Sequence, residues 1–374
     1  MKKVLVFYAS YGGGHLSAAK SIKECINSDY PSIDVELIDC MKYINKGIEK
    51  VTTTAYKEMA KNAPWAWGRV YYKSQKGPLA QISSSSNKIM AIKLNKLIEE
   101  KKPELIISTH PFANQMCSFL KKKSKISAKI ATVLTDYAPH EQWLVGNEYI
   151  DYFFVAHEGM KEALHKEGIP YDKIFSTGIP LSNKFLIHYD KPELLKKFGL
   201  SPDKKTILFF GGGEFGLGKS RTLDILRSFI TDFNDIQIVA ISGKNNKMKR
   251  KFEDIVKYSN KEDEVKILEY TNEVPELMSI SDLVVTKPGG LTTTESIASG
   301  VPIVVINPIP GQEEENAEYL ESKNVAIWLK KNMDIRETLQ NLFSNPDRMR
   351  EMKIRARIMS KRYSTKDICK ILLG

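Results

Sequence analysis

Apolar runs of strand length alternate with segments of helical period along the whole chain. In the first half KVLVFYA leads into SAAKSIKECI, and then come VELIDC, ELIISTH with ANQMCSFLKKK, KIATVLTD, and YFFVAH with EGMKEALHKEG. After a charged stretch at about 187 to 205 the pattern starts again with TILFFGGG and RTLDILRSFI, IQIVAIS, VKILEY, LVVTKPG with TTTESIASG, and PIVVINP. Strands that are apolar on both faces belong to parallel sheets covered by helices on both sides. The pattern predicts an α/β protein built as two doubly wound domains. Its restart sets a boundary near HYDKPELLKKFGLSPDKK, giving a first domain at 1–195 and a second at 196–345. The basic helical tail at 346–374 is expected to pack back on the first domain. SSSS at 83–86 is too short for a linker and reads as part of a mobile loop.

A chain of 374 residues fits two domains, and 42% hydrophobic with 27% charged residues is the composition of a folded protein. No apolar run approaches the ~20 residues needed to span a bilayer. The opening MKKVLVFYASYGGGH has only Val4 to Ala9 before polar residues and glycines, too short for a signal-peptide core, so a first strand and a cytoplasmic protein are expected. Cys25, Cys40, Cys117 and Cys369 are far apart and form no CxxC pair, which excludes a disulfide framework or zinc site of ordinary spacing. The net charge of +11 favours anionic partners. Zinc-finger spacing, an RNP-like aromatic motif and a basic-region heptad are all missing, so nucleic acid is not expected.

Candidate chemistry clusters where strands end. YGGGHLSAA follows the first strand and opens a helix, so Gly13 and Gly14 can let a ligand approach the backbone. A glycine-rich first turn can also be purely structural. His15 at the mouth of that crevice is expected to be exposed and to titrate near neutrality. GGGEFGLGKS repeats the device with Gly212, Gly213 and Glu214; Gly213, Gly218, Lys219 and Ser220 also fit a P-loop, against which no Walker B aspartate stands downstream. TDYAPHEQW offers Asp136 as a base, His140 as a polar contact and Trp143 as a stacking surface, although an aspartate there can equally cap a helix. Gly243, Lys244 and Asn245 form a crevice-facing turn ahead of a basic helix. Gly289, Gly290 and Leu291 open a helix whose N–H groups, with the hydroxyls of Thr292, Thr293 and Thr294, suit a diphosphate. Glu295 can accept from a ribose diol, while Gln312, Glu313 and Asn316 can meet sugar hydroxyls. Diphosphate, ribose and hexose together describe a nucleotide sugar.

KPGGLTTTESIASGVPIVVINPIPGQEEENAEYL, with FYASYGGGHLSAA, TDYAPHEQW, STGIPLSNKF and FFGGGEFG, resembles the family of monogalactosyldiacylglycerol synthases and processive diacylglycerol glucosyltransferases, within family 28 of the GT-B glycosyltransferases. The likeness runs in order from the first strand to about residue 325. It implies two Rossmann-like domains facing a cleft, with the acceptor on the N-terminal side and the UDP-sugar on the C-terminal side. It also implies inverting transfer of glucose or galactose from UDP-glucose or UDP-galactose to diacylglycerol, with no cofactor and no catalytic metal. By the same likeness Glu295 matches the ribose-binding acid, Gln312 and Glu313 the pair that reads the sugar, Gly243 to Asn245 the uracil site and His15 the catalytic histidine, with Asp136 the other candidate base.

A lipid acceptor gives the positive charge a use at an anionic membrane surface, on the inner face of the cell membrane. APWAWGRVYYKSQKG at 63–77 has the aromatic and basic residues of a membrane interface, or else those of a helix packed in the N-terminal core. Rival readings are a peptidoglycan-type N-acetylglucosaminyltransferase, a nucleotide-sugar epimerase and a non-catalytic UDP-sugar sensor.

Overall fold

A computed structural model describes residues 2–10, 13–44, 54, 78–211 and 219–374, with backbone alone at 78–89 and 219. The aromatic and basic segment at 63–77 lies outside the described residues, as do Gly212, Gly213 and Glu214 and most of the P-loop-like string.

The predicted strand runs form two parallel sheets, each of six strands among the described residues. The first contains β1 (Lys3–Tyr8), β2 (Asp34–Asp39), β3 (Leu105–Ser108), β4 (Lys129–Val133), β5 (Tyr152–Phe154) and β6 (Ile174–Phe175), in the order β2-β1-β3-β4-β5-β6. The second contains β7 (Lys205–Phe210), β8 (Ile236–Ile241), β9 (Val265–Leu268), β10 (Leu283–Thr286), β11 (Ile303–Val305) and β12 (Ala326–Trp328), in the order β12-β11-β10-β7-β8-β9. In both the chain leaves a central strand in one direction and later returns to the strand's other side. The reversal falls between β1 and β3 in the first sheet, with Val4 opposite Leu105, and between β7 and β10 in the second, with Ile207 opposite Leu283. Connections on either side of such a point leave a crevice at the strands' carboxyl ends, where ligands of α/β proteins bind.

The apolar runs are buried on both faces because helices cover both. Val4, Val6, Ile107 and Val133 pack with Ile22 and Ile26 of the helix Gly13–Asp29, and Ile368 and Cys369 of the C-terminal helix Ser364–Leu373 complete that core. In the second sheet Phe209 meets the Phe229 and Phe252 rings edge-on at 6.4 and 5.9 Å. A side chain at Gly211, which follows β7, would place its Cβ 2.6 Å from the Phe252 ring, so helix 246–258 and the strand end pack as closely as they do only over glycine.

The chain divides into two compact units: Met1–Leu186 with Pro310–Gln312 and Lys361–Gly374, and Ile187–Ile309 with Glu313–Ser360. The sequence reading carried the first domain to 195 and set the tail off at 346. The contacts change earlier and later than that for local reasons. The charged stretch holds a helix, Lys191–Phe198, capped by the Asp190 carboxylate at Glu193 N–H and ended by Gly199 in the left-handed region. That helix packs on the helix Val274–Ile280 of the second unit. At the other end, helix 346–359 packs on helix 290–298. Its Arg357 side chain lies where a Cβ at Gly300 would be, 3.1 Å away.

Within the first unit the segment Lys361–Gly374 is bound by several hydrogen bonds. Thr365 Oγ1 accepts from Leu181 N at 2.8 Å and donates to the Leu181 carbonyl at 2.7 Å, and Ser364 Oγ donates to the Ile179 carbonyl at 2.7 Å. Ser83–Ser86, expected in a loop, lie inside the helix Pro78–Lys101. Serine is only modestly poorer than alanine in a helix interior, and the segments flanking these four continue the turn. No helix among the described residues is long and apolar enough to cross a membrane.

Candidate active site

At the reversal point of the first sheet, helix 13–29 begins directly beyond β1, and its first turn carries His15. Thr109, just past β3, fixes it: Thr109 N–H donates to the Phe7 carbonyl at 3.0 Å and its hydroxyl donates to the His15 carbonyl at 2.9 Å. The His15 Nδ1 lies 2.6 Å from the Thr109 carbonyl oxygen and 3.1 Å from Thr135 Oγ1. A carbonyl only accepts, so Nδ1 carries the hydrogen and the Nε2 lone pair is left for another partner.

The imidazole is not the exposed, near-neutral group expected from its place in the sequence. Burial lowers its pKa to about 4, against which the Thr109 carbonyl pulls upward. His110 stands edge-on to it at 4.6 Å between ring centroids. Burial, and the neighbouring His15, hold His110 well below the ordinary histidine value. Both rings are therefore neutral at pH 7, and a neutral imidazole with an open Nε2 is a proton acceptor. Gly13 is neither crowded nor left-handed: a Cβ there would meet nothing within 4 Å.

Asp136, beyond β4, is 8% exposed and accepts a hydrogen bond from the Gln312 side-chain amide, so those two candidates come together in the first unit. His140 caps the short turn Glu141–Trp143 by accepting from Gln142 N–H at 3.1 Å, and burial brings its pKa to about 4. Trp143 is 3% exposed, with its carbonyl accepting from the Asn114 amide. Its ring belongs to the core and does not present the open stacking surface predicted from the sequence.

At the reversal point of the second sheet, helix 290–298 starts at Gly289, which supplies no side-chain cap. A Cβ on Gly289 would also meet nothing within 4 Å. Leu291 is buried in the core. The threonines divide. Thr293 Oγ1 donates to the Gly289 carbonyl at 2.8 Å and Thr294 Oγ1 to the Gly290 carbonyl at 2.6 Å, so these buried hydroxyl protons turn back into the helix and are not offered to a phosphate as predicted. Thr292, partly exposed, and the first N–H groups of the helix remain for an anion.

One turn on, Glu295 makes no hydrogen bond or ion pair through its carboxyl among the described residues, and burial raises its pKa to about 8. Asn316 is fully buried, and its amide donates to the Pro288 carbonyl at 3.0 Å. It braces the turn ahead of the helix, a role that the sequence reading, which had it meet a sugar hydroxyl, did not include. One Glu313 oxygen accepts from Ile309 N–H at 2.7 Å. Burial raises the Glu313 pKa, opposed by the charge of Lys287.

Gly243 takes a left-handed φ of 64°, and Asn245 caps helix 246–258 by accepting from Met248 N–H at 3.1 Å. Between them the Lys244 ammonium stands 5.3 Å from the centre of the Tyr270 ring. The sequence reading missed Thr109, Thr135 and His110, which orient or surround His15, and Lys287 at the end of β10. Each sits one or two residues past a strand in a string already singled out, ELIISTH, KIATVLTD or TKPGG, so position past a strand end was the available signal.

Two parallel doubly wound sheets, each with its reversal point beside a central strand, are the two Rossmann-like domains of the GT-B fold. Solved structures with this fold include Staphylococcus aureus MnaA with UDP, at a TM-score of 0.67 and 14% identity over 100% of this chain and 96% of that one. Another is Acinetobacter baumannii MurG, at 0.67 and 13% over 99% of each. Residues 15–181 match the monogalactosyldiacylglycerol synthase family, and 206–369 match the glycosyltransferase family 28 C-terminal domain. The chain is 30% identical to a Bacillus licheniformis processive diacylglycerol beta-glucosyltransferase over 354 residues, 94% of this chain and 89% of that protein. It is 31% identical to the Staphylococcus epidermidis protein of the same name over 374 residues, 100% and 92% respectively. The chain belongs to the monogalactosyldiacylglycerol synthase and processive diacylglycerol glucosyltransferase family.

Proposed function

We propose that the protein is an inverting hexosyltransferase that moves glucose from UDP-glucose to diacylglycerol and makes a β-glycosyl diacylglycerol. The observation that carries this reading is the neutral imidazole of His15: Nδ1–H faces the Thr109 carbonyl, and Nε2 makes no hydrogen bond among the described residues. In an inverting transfer the acceptor hydroxyl must lose its proton as its oxygen attacks the anomeric carbon, opposite the departing UDP. His15 is the base and Asp136 the alternative. The Asp136 carboxylate is already engaged by the Gln312 side-chain amide, which favours His15.

The second unit supplies the donor site in this reading. The uncapped helix start at Gly289–Gly290 and Thr292 hold the diphosphate, Glu295 the ribose, and the Gly243–Asn245 turn the base. Glu313 contacts the hexose, and Gln312, carried by the first unit, is the other candidate for the sugar. Among the described residues nothing lies within 4 Å of a Cβ at Gly13 or Gly289, which supports ligand approach at both turns. The names of the relatives favour glucose over galactose and allow a second sugar to be added to the first product. Diacylglycerol resides in membranes, so the protein works at a membrane surface on the cytoplasmic side, where a net charge of +11 is attracted to anionic headgroups.

The test is to give the purified protein UDP-glucose or UDP-galactose in parallel with diacylglycerol in anionic vesicles, and to identify the lipid products by mass. Glucosyl diacylglycerol, with a di-hexosyl product accumulating later, is the expected result. Transfer from UDP-galactose alone would reassign the donor, and UDP release without a lipid product would remove the lipid acceptor from the reading.

A further inference from the structure

Lys287 stands in the turn between β10 and helix 290–298, at the reversal point of the second sheet. Its Nζ is buried, and it makes neither a hydrogen bond nor an ion pair among the described residues. An ammonium removed from water without a counter-charge is strongly disfavoured unless something else supplies the negative charge. Glu313 is the acid within electrostatic reach, yet one of its oxygens is already held by Ile309 N–H and burial favours its protonated form. Desolvation correspondingly holds the Lys287 pKa below the ordinary lysine value. The neighbouring helix start adds N–H groups with no side-chain cap, and among the described residues nothing lies within 4 Å of a Cβ at Gly289. Ammonium and helix start have the same sign, and a polyanionic ligand answers both.

We infer that Lys287 is a further catalytic residue of the hexosyl transfer, its ammonium holding the β-phosphate of the nucleotide and meeting the charge that develops there as the sugar leaves. The inference rests on the transferase reading above. In the step, the acceptor oxygen forms a bond to the anomeric carbon. The bond from that carbon to the phosphate oxygen breaks, with its electron pair staying on the phosphate, and the hydroxyl proton passes to His15 Nε2. The diphosphate gains one negative charge, and Lys287 is the buried cation of this turn able to take it up.

The full-length protein, with Lys287→Met and Lys287→Arg, should be titrated calorimetrically with UDP and with uridine, and its hexosyl transfer followed in vesicles. Methionine keeps most of the apolar stem and removes the charge. UDP affinity is expected to fall on the order of 30-fold or more in Lys287→Met, as when one member of a buried charge pair is truncated. Uridine affinity should stay within about twofold, kcat should fall at saturating donor, and Lys287→Arg should recover part of both losses. An unchanged UDP affinity, or an equal loss for uridine, overturns the inference, the second because it reports a damaged fold. If the unmodified protein transfers no hexose while UDP and uridine remain separated in this way, the phosphate contact stands and the transferase reading, with the catalytic role it gives Lys287, falls.

Discussion

Replacing His15 by alanine tests the proton-transfer assignment and separates it from a simple loss of packing. A positioned general base contributes roughly 100- to 10,000-fold, so kcat should fall by that order while the Kd for UDP, which the proposal assigns to the second unit, changes little. The pH profile of the unmodified protein carries a sharper number. A base acts only when deprotonated, so the rate is lost as pH falls through the pKa in the folded state. With that pKa at about 4, His15 is about 99% neutral at pH 6, whereas an ordinary histidine at about 6.5 would be about one-quarter neutral. The initial rate of lipid glycosylation at saturating donor should therefore be nearly the same at pH 6 and pH 7.5. A histidine of ordinary pKa would give close to a fourfold fall. The assay is incorporation of labelled hexose into extracted lipid, with vesicle composition held constant. A fourfold loss at pH 6 that disappears in the Ala variant would refute the half-buried, neutral imidazole described here. Unchanged kcat in His15→Ala would refute the base itself.

Three further outcomes follow from the geometry. Glu295 has its folded pKa raised to about 8, so the unfolded chain gives up this proton at lower pH and native stability contributed by the site is lost as pH rises from about 4.5 to 8. Glu295→Gln, which cannot ionise, should raise Tm at pH 8 more than at pH 5 by scanning calorimetry; an equal change at both would contradict the assignment. Asn316→Ala leaves the buried Pro288 carbonyl without its amide donor, which should cost about 1–3 kcal/mol in denaturant titration and raise KM for the donor without changing KM for the lipid. Gly178 has φ 96°, and a Cβ there would lie 2.5 Å from Lys361 Cβ. Gly178→Ala should lose about 2–4 kcal/mol of stability, and hydrogen exchange should quicken first in the C-terminal helix 364–373.

The fold class was legible because parallel strands buried on both faces leave uninterrupted apolar runs, such as KVLVFY and IQIVAI, that no loop or surface helix imitates. Glycine-rich turns directly after such runs located both crevices. The chemistry of individual side chains was less legible because tertiary neighbours decide it. The sequence shows His15 at a crevice mouth; the buried environment and the Thr109 carbonyl that set its proton come from 94 residues away. Three consecutive threonines look alike in TTTE, yet helical geometry turns the hydroxyls of Thr293 and Thr294 onto carbonyls of the preceding turn and leaves Thr292 outward. Asn316 reads as a polar residue near a sugar until its amide is seen to hold Pro288, 28 residues earlier in the chain. Lys287 was hidden differently: beside Pro and two glycines, a lysine looks like an ordinary surface residue, and its buried Nζ, without a hydrogen-bond partner among the described residues, depends on how β10 and the turn are packed.

The anomeric configuration of the product tests the central claim most directly. The protein should be incubated with UDP-glucose carrying 13C at the anomeric carbon and diacylglycerol in anionic vesicles, and the extracted lipid read by its one-bond and vicinal proton couplings. The account predicts a glucosyl diacylglycerol whose anomeric signal is β throughout, as a single displacement from the α-linked donor requires. An α-linked lipid would contradict the direct displacement with His15 as base, and label remaining entirely in water-soluble products would contradict the lipid acceptor.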